Sequence, residues 1–248
     1  QGWPVYKGAS FNIWSPDTGV YYAHAQEHVV VPALFTRRLK SARRANSAFS
    51  RFPAPYLQDV ETLPCVNPRI AYRRIARSTD TRTVIACLVP PHVILTDKAA
   101  YLVNQPEADG IPDCLKEAFL LGVLSSMVLD WYARRVVEVQ LDFHVIESFP
   151  IPLADLQNDS LAARVAVLAS SLAAVDPRFA DWAANVRVST QTMSEAGHAE
   201  MIAELDATVA LLYGLDEQDL EVIYTTFHEG ADYSDRLAAV IEHHRRLS

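Results

Sequence analysis

Phe119-Leu120-Leu121-Gly122-Val123-Leu124-Ser125-Ser126-Met127-Val128-Leu129-Asp130-Trp131 is the stretch on which the fold turns. Wound as a helix, it is apolar on nearly every side. A helix with no polar face has none to show to water, so it belongs inside a core. The pattern predicts one helix over residues 115–137. Its longest apolar run, 118–129, is too short to span a bilayer and is flanked by Lys116, Glu117 and Asp130. A chain of 248 residues, half of them hydrophobic, can bury such a helix in one large core or in two modest domains.

Upstream of this helix the sequence reads as strands and turns. Val5, Tyr6, Phe11, Ile13 and Trp14 lead into Ser15-Pro16-Asp17-Thr18-Gly19, and Val20-Tyr21-Tyr22 resumes. That is a hairpin with a loop of about five residues. A helix is expected from near Pro32 to Ala45, with Pro32 in its first turn and Asn46 as its stop. Phe35, Leu39 and Ala42 share one side of it; Arg37, Lys40 and Arg44 share the other. Residues 47–67 are loop-like, with Pro53, Pro55, Pro64 and Asn67. Three strand candidates follow at 69–75, 83–88 and 93–95, and Pro90-Pro91 breaks the chain between the last two.

Downstream, residues 141–146 read as a short strand, and Phe149-Pro150-Ile151-Pro152 as an extended exit. The character then changes to helices. They are expected at 160–175, from Asp176-Pro177 (Asp as N-cap, Pro in the first turn), at 197–213 ending at Gly214, at 216–227 and at 232–246. The expected class is α+β: a mixed α/β domain over 1–152 and a helical subdomain over 153–248.

Charge divides the chain the same way. Residues 1–100 hold thirteen Lys or Arg against six Asp or Glu; residues 101–248 hold nine against twenty-four, for a net charge of −8. The basic part suits phosphate neutralisation, while the acidic part suits protein or solvent. Arg69, Arg73, Arg77 and Arg82 surround a strand and the loop Ser78-Thr79-Asp80-Thr81, a mixture suited to reading base edges. The bland alternative is a solvated or ion-paired surface. The odd, widely spaced Cys65, Cys87 and Cys114 argue against disulfides or a zinc site and fit a reducing cytoplasm. Gln1-Gly2-Trp3-Pro4 has neither an initiator Met nor a secretory pattern, so a fragment or a processed start is expected.

Three motifs have simpler readings than catalysis. His24-Ala25-Gln26-Glu27-His28 fits H-x-x-E-H, but follows a strand-like segment rather than lying within a helix, and reads as chance. Val89-Pro90-Pro91-His92 lacks the accepting first residue and the aromatic that amino-methyltransferases use on a flipped base, and reads as a turn. His243-His244 with Arg245 and Arg246 reads as last-turn cations complementing a helix dipole. No G-x-G occurs, and no convergent nuclease or hydrolase set stands out.

Several segments together, in order along the chain, resemble a known family. Tyr6-Lys7-Gly8-Ala9-Ser10-Phe11-Asn12-Ile13-Trp14 resembles the segment that follows the catalytic domain in type IIG-like restriction–modification methylases. Pro68-Arg69-Ile70-Ala71-Tyr72-Arg73 resembles their first central recognition strand, and Phe119 to Ser126 the buried helix of their specificity domain. Leu141-Asp142-Phe143 through Phe149-Pro150-Ile151-Pro152 resembles its closing strand. Glu204-Leu205-Asp206 with Leu212-Tyr213-Gly214-Leu215 resembles the C-terminal helix and cap. The resemblance extends to large bacterial adenine-methylating proteins of phage defence with a TaqI-like C-terminal specificity domain. It implies that this part selects sequence on double-stranded DNA. An upstream methyltransferase domain would bind S-adenosylmethionine and methylate adenine N6; no catalytic residue carries over to this chain. The DNA-contact set expected is Lys7, Arg37, Lys40, Arg44, Arg51, Arg69, Arg73, Arg74, Arg77, Thr79 and Arg82. The alternative is a protein-interaction module that docks the catalytic domain or another defence-system subunit.

Overall fold

The computed structural model describes residues 2–76, 80–103, 113–153 and 155–248. The fold is mixed α+β, with two three-stranded sheets preceding a helical body. Strands β1 (Trp3–Tyr6) and β2 (Ala23–Ala25) come first, then helices α1 (Glu27–Ser41) and α2 (Ala54–Gln58). Strands β3 (Arg69–Arg73), β4 (Ala86–Val89), β5 (Ile94–Leu95) and β6 (Ala99–Tyr101) follow. The helical body comprises α3 (Asp113–Ser125), α4 (Met127–Val136), α5 (Phe143–Ile146), α6 (Ser160–Ala173), α7 (Ala180–Asn185), α8 (Glu195–Leu212), α9 (Glu217–Thr225) and α10 (Ser234–Leu247). Among the described residues no helix is long and apolar enough to cross a membrane.

One sheet has the order β2-β1-β5, with β1 antiparallel to β2 and parallel to β5; the other is antiparallel, in the order β4-β3-β6. Strand β3 is buried on both faces. Ile70 and Tyr72 join the core shared with the helices, whereas Ala71 joins a second cluster with Tyr6, Phe11, Cys87 and Val89 that ties the sheets together. This is the period-2 alternation of a strand, with each face covered by a different set of partners.

Several local expectations are corrected. The hairpin partner is 23–25 rather than 20–22. Ser10 Oγ donates to the Val20 carbonyl (2.5 Å) and Thr18 Oγ1 to that of Ala9 (2.7 Å), which folds the intervening chain into a wide loop. Helix α1 starts at Glu27, so Pro32 lies inside it on an exposed side, and Arg44 falls beyond its end. The single helix over 115–137 is two. Ser126 is extended, and its Oγ accepts the Leu129 N–H (3.2 Å), capping a new start. The strand expected at 141–146 is α5. The Asp142 carbonyl takes the Val145 and Ile146 N–H groups, and extended pairing is limited to an isolated bridge between Ile75 and Gln140. Strand β6, Ala-Ala-Tyr, has no β-branched residue to signal it.

One cluster of buried side chains runs from Trp14 and Tyr72 through α3 and α4 to α6, α8 and Val240 on α10, across the boundary read near 153. Gly122 lets α3 lie close on α6: a Cβ there would sit 2.7 Å from Val165 Cγ1 and 3.1 Å from Ala169 Cβ. A second tie between the early and late chain is ionic. Arg178 donates to Asp17 (2.9 Å) and pairs with Asp176 (2.8 Å). Burial pushes the Asp17 carboxyl up, but hydrogen bonds from the Gly19 N–H, Arg178 and Tyr21 outweigh it and hold it below its ordinary value. Arg178 likewise holds Asp176 low. Depressed carboxyl groups contribute stability above their unfolded pKa, about 3.9, and lose it as pH falls through the folded value. Arg178→Met is therefore expected to destabilise the protein at neutral pH, with the gap to wild type closing below about pH 4. Urea melts at a series of pH values check this, and a gap that does not narrow in acid rules the linkage out.

Candidate nucleic-acid interface

Residues 28–58 contain six Lys or Arg and no Asp or Glu. The structure divides these cations. Arg38 is buried, 3% exposed, and anchors α1. Its guanidinium donates to Thr62 Oγ1 (2.9 Å) and to the Leu57 and Asp59 carbonyls (both 2.7 Å), so the proline-rich segment wraps around it. Burial lowers its pKa. With Arg38 turned inward, Arg37 and Lys40 stand exposed on the helix, and Arg43 and Arg44 on the turn after it. Arg51 is exposed on the following 3₁₀ turn, Ala48–Arg51. Among the described residues no ion pair engages Arg37, Lys40, Arg43 or Arg44. Phe49, Phe52 and Tyr56 pack as successive tilted pairs, with ring centroids 5.6 and 5.2 Å apart, and hold the adjoining chain. The result is a ridge of five exposed cations with no neighbouring carboxylate in sequence. Arg38 and Arg43 lie outside the expected DNA-contact set. The acid-free run is the signal that groups Arg43 with the rest, whereas the inward turn of Arg38 depends on partners 19 to 24 residues away.

The arginines expected to read bases lie elsewhere. Arg69 is 5% exposed; it donates to the Val93 (2.9 Å) and Asn67 (3.2 Å) carbonyls and stacks over Tyr101. Burial pulls its pKa down to about 10. Arg73 donates to the Phe11 carbonyl (2.5 Å), and Arg74 pairs with Asp142 (2.5 Å). Arg82 donates to Asp130 (3.1 Å) and to the Ser125 (2.7 Å) and Ser126 (3.1 Å) carbonyls. All four guanidiniums are engaged by protein acceptors. Arg69 and Arg73 lie on β3, which is covered on both faces, and their Nε atoms are buried without a partner among the described residues; Arg74 and Arg82 lie beyond the strand and are held by Asp142 and Asp130. Lys7 is half-buried, its backbone N–H donating to Ser10 Oγ (2.9 Å). Arg77 and Thr79 lie outside the described residues.

Asp130 organises the chain beside this strand. It is fully buried and accepts the N–H groups of Thr83 (3.0 Å) and Val84 (2.5 Å) as well as Arg82. One turn further along α4, Arg134 donates to the Asp80 carbonyl (2.9 Å). Both guanidiniums lie over the Phe227 ring, just past α9, with centroid distances of 5.9 Å for Arg82 and 4.9 Å for Arg134. Residues 80–84 are thus fixed to the helical body.

The remaining motif residues have ordinary local roles. His24 sits on β2, with Glu27 and His28 in the first turn of α1, and among the described residues no cluster of three or more metal-ligating side chains forms. His92 occupies a left-handed turn (φ 62°), donates its backbone N–H to the Cys65 carbonyl (2.8 Å) and packs on Trp3. His243 and His244 are buried against neighbouring helices rather than exposed at the helix end. His243 pairs with Glu200 (2.9 Å) and His244 with the Leu215 carbonyl (2.9 Å), which packs α10 onto its neighbours. Compared with family models, curated proteins and solved structures, the chain matches none.

Proposed function

We propose that this chain selects the DNA sequence for a larger N6-adenine DNA methyltransferase of the restriction–modification or phage-defence kind. The observation that carries the reading is the exposed ridge of Arg37, Lys40, Arg43, Arg44 and Arg51 in a chain of net charge −8. Phosphate anchoring of this kind fixes register on a duplex and supplies most of the non-specific affinity. The inward arginines and Asp130 act on the frame: they hold β3 and residues 80–84 rigid, as a base-reading edge requires. S-adenosylmethionine binding and methyl transfer to a flipped adenine are assigned to an upstream domain, since no glycine-rich cofactor loop occurs in this sequence. The acid-rich later helices repel phosphate, which confines DNA to the side of α1.

Fluorescence anisotropy with short duplexes across a salt series tests this. Binding should weaken steeply with salt. When Arg37, Lys40 and Arg44 become Ala, the slope of log K against log salt should fall by about 0.9 for each phosphate left without its cation. Charge reversal of the three should abolish binding. No duplex binding at low salt, or binding indifferent to these changes, would overturn the proposal. A second reading is favoured by the engagement of Arg69, Arg73, Arg74 and Arg82 inside the protein: the ridge docks the catalytic domain or a partner subunit. Under that reading, charge reversal breaks protein association and leaves duplex binding unchanged.

A further inference from the structure

Bidentate reading of guanine needs a guanidinium free of protein acceptors. Arg69, Arg73, Arg74 and Arg82 do not offer one, because each donates to carbonyls or carboxylates of the chain. Guanine reading then needs another element, and α1 has the required form. Of its 15 residues only Arg38 is buried, and none of its apolar side chains joins either buried cluster. Val31, Leu34, Phe35 and Leu39 share the side of Arg38 and are half-buried. The helix therefore stands at the margin of the molecule, held on one side.

Its outward side is one stripe. Val29, Ala33 and Arg37 follow one another at every fourth position, with Thr36 and Lys40 beside them, and all five are exposed. Arg37 is the one exposed guanidinium on the helix itself, and among the described residues no hydrogen bond or ion pair engages it. Ala33, one turn before it, puts no bulk between the helix backbone and a ligand. Charge around the stripe suits a polyanion. Arg43 and Arg44 lie on the turn after the helix and Arg51 on the next 3₁₀ turn, while the helix's one carboxylate, Glu27, is at the opposite end. A helix about 10–12 Å across matches the roughly 12 Å width of the major groove of B-DNA. We infer, on the basis of the DNA-selecting function proposed above, that α1 enters the major groove and that Arg37 reads guanine there, while Arg43, Arg44 and Arg51 hold the bordering phosphates. Arg37 is thus set apart from the rest of the ridge as the residue that determines specificity.

The test is selection of bound duplexes from a randomised pool, read by sequencing, with the 248-residue chain and three variants at exposed positions. The intact chain should select a motif containing guanine. Arg37→Gln should weaken binding to that motif by roughly tenfold or more, about 1.4 kcal/mol. It should also move the preference at one position from guanine to adenine, whose N6 and N7 a glutamine amide matches. A cation that only touches phosphate moves no base preference. Ala33→Phe, which adds bulk in the middle of the stripe, should erase the motif and leave salt-dependent binding. Arg44→Ala should weaken all sequences alike and keep the motif. A motif unchanged by Arg37→Gln, or duplex binding by the intact chain without sequence preference, would overturn the inference and leave α1 as a phosphate anchor. Failure to bind any duplex at low salt would overturn the proposed function itself, and the groove-reading role of α1 with it.

Discussion

Asp130→Ala is expected to destabilise the protein by about 3–5 kcal/mol, the range for removing one partner of a buried ion pair. Three donors converge on this carboxylate: the backbone N–H groups of Thr83 and Val84 and the Arg82 guanidinium. Alanine leaves all three without it where water has little access. Arg82 retains the Ser125 and Ser126 carbonyls, but its charge loses its counter-ion. Typical domains are stable by only about 5–15 kcal/mol, so a loss of this size brings the protein near its unfolding threshold. Urea denaturation of wild type and variant measures it. A loss below about 1 kcal/mol would match a surface ion pair and contradict a structural role for this buried carboxylate. Asn keeps an acceptor for one N–H but loses the charge, and should fall between wild type and Ala.

Asp206→Ala should cost a similar amount, about 3–5 kcal/mol, for a different structural reason. Asp206 is buried on α8 and joins three other helices. One oxygen accepts the Met127 N–H (2.9 Å), placing an anion at the start of α4, where the helix dipole favours it. The other accepts the Tyr224 hydroxyl (2.8 Å) from α9 and the Arg236 guanidinium (2.6 Å) from α10. Burial drives the Tyr224 pKa well up, with the Asp206 charge adding to it. Burial alone would lower that of Arg236, but Asp206 reverses the sign and raises it. Alanine leaves a half-buried guanidinium and a buried phenol facing each other without the charge that reconciles them. The variant should lose denaturation cooperativity between α4 and the later helices, which hydrogen exchange at the amides of α9 and α10 would detect. Unchanged protection there would show that apolar packing alone holds these helices.

Legibility follows how local each cause is. The helices after residue 153 are readable because their signals sit within a few residues. Asp159, Asp176 and Asp216 cap their own first turns, and Gly214 at φ 68° closes α8. The buried character of 115–137 is readable from composition, but its division is not. Ser125-Ser126 is tolerable inside a helix as well as at a cap; besides the local Ser126 cap, the new start is met by Asp206, distant in sequence, which receives the Met127 N–H. The segment 141–146 misleads because its apolar residues fit either period over so short a run.

Side-chain chemistry and short-range capping suffice to specify the α+β class, the positions of the later helices and the split between a basic and an acidic half. All three are legible in the chain without its fold. Which cations are available is a different matter, settled by long-range packing. Arg37 and Arg38 are neighbours in the chain, yet one faces solvent and the other is enclosed by carbonyls of residues 57 and 59. Arg69, Arg73, Arg74 and Arg82 read as a ligand-facing set until β3, which carries the first two, is seen to be covered on both sides and the other two are seen paired with Asp142 and Asp130. Burial is a property of what packs against a residue, and those partners lie far along the chain.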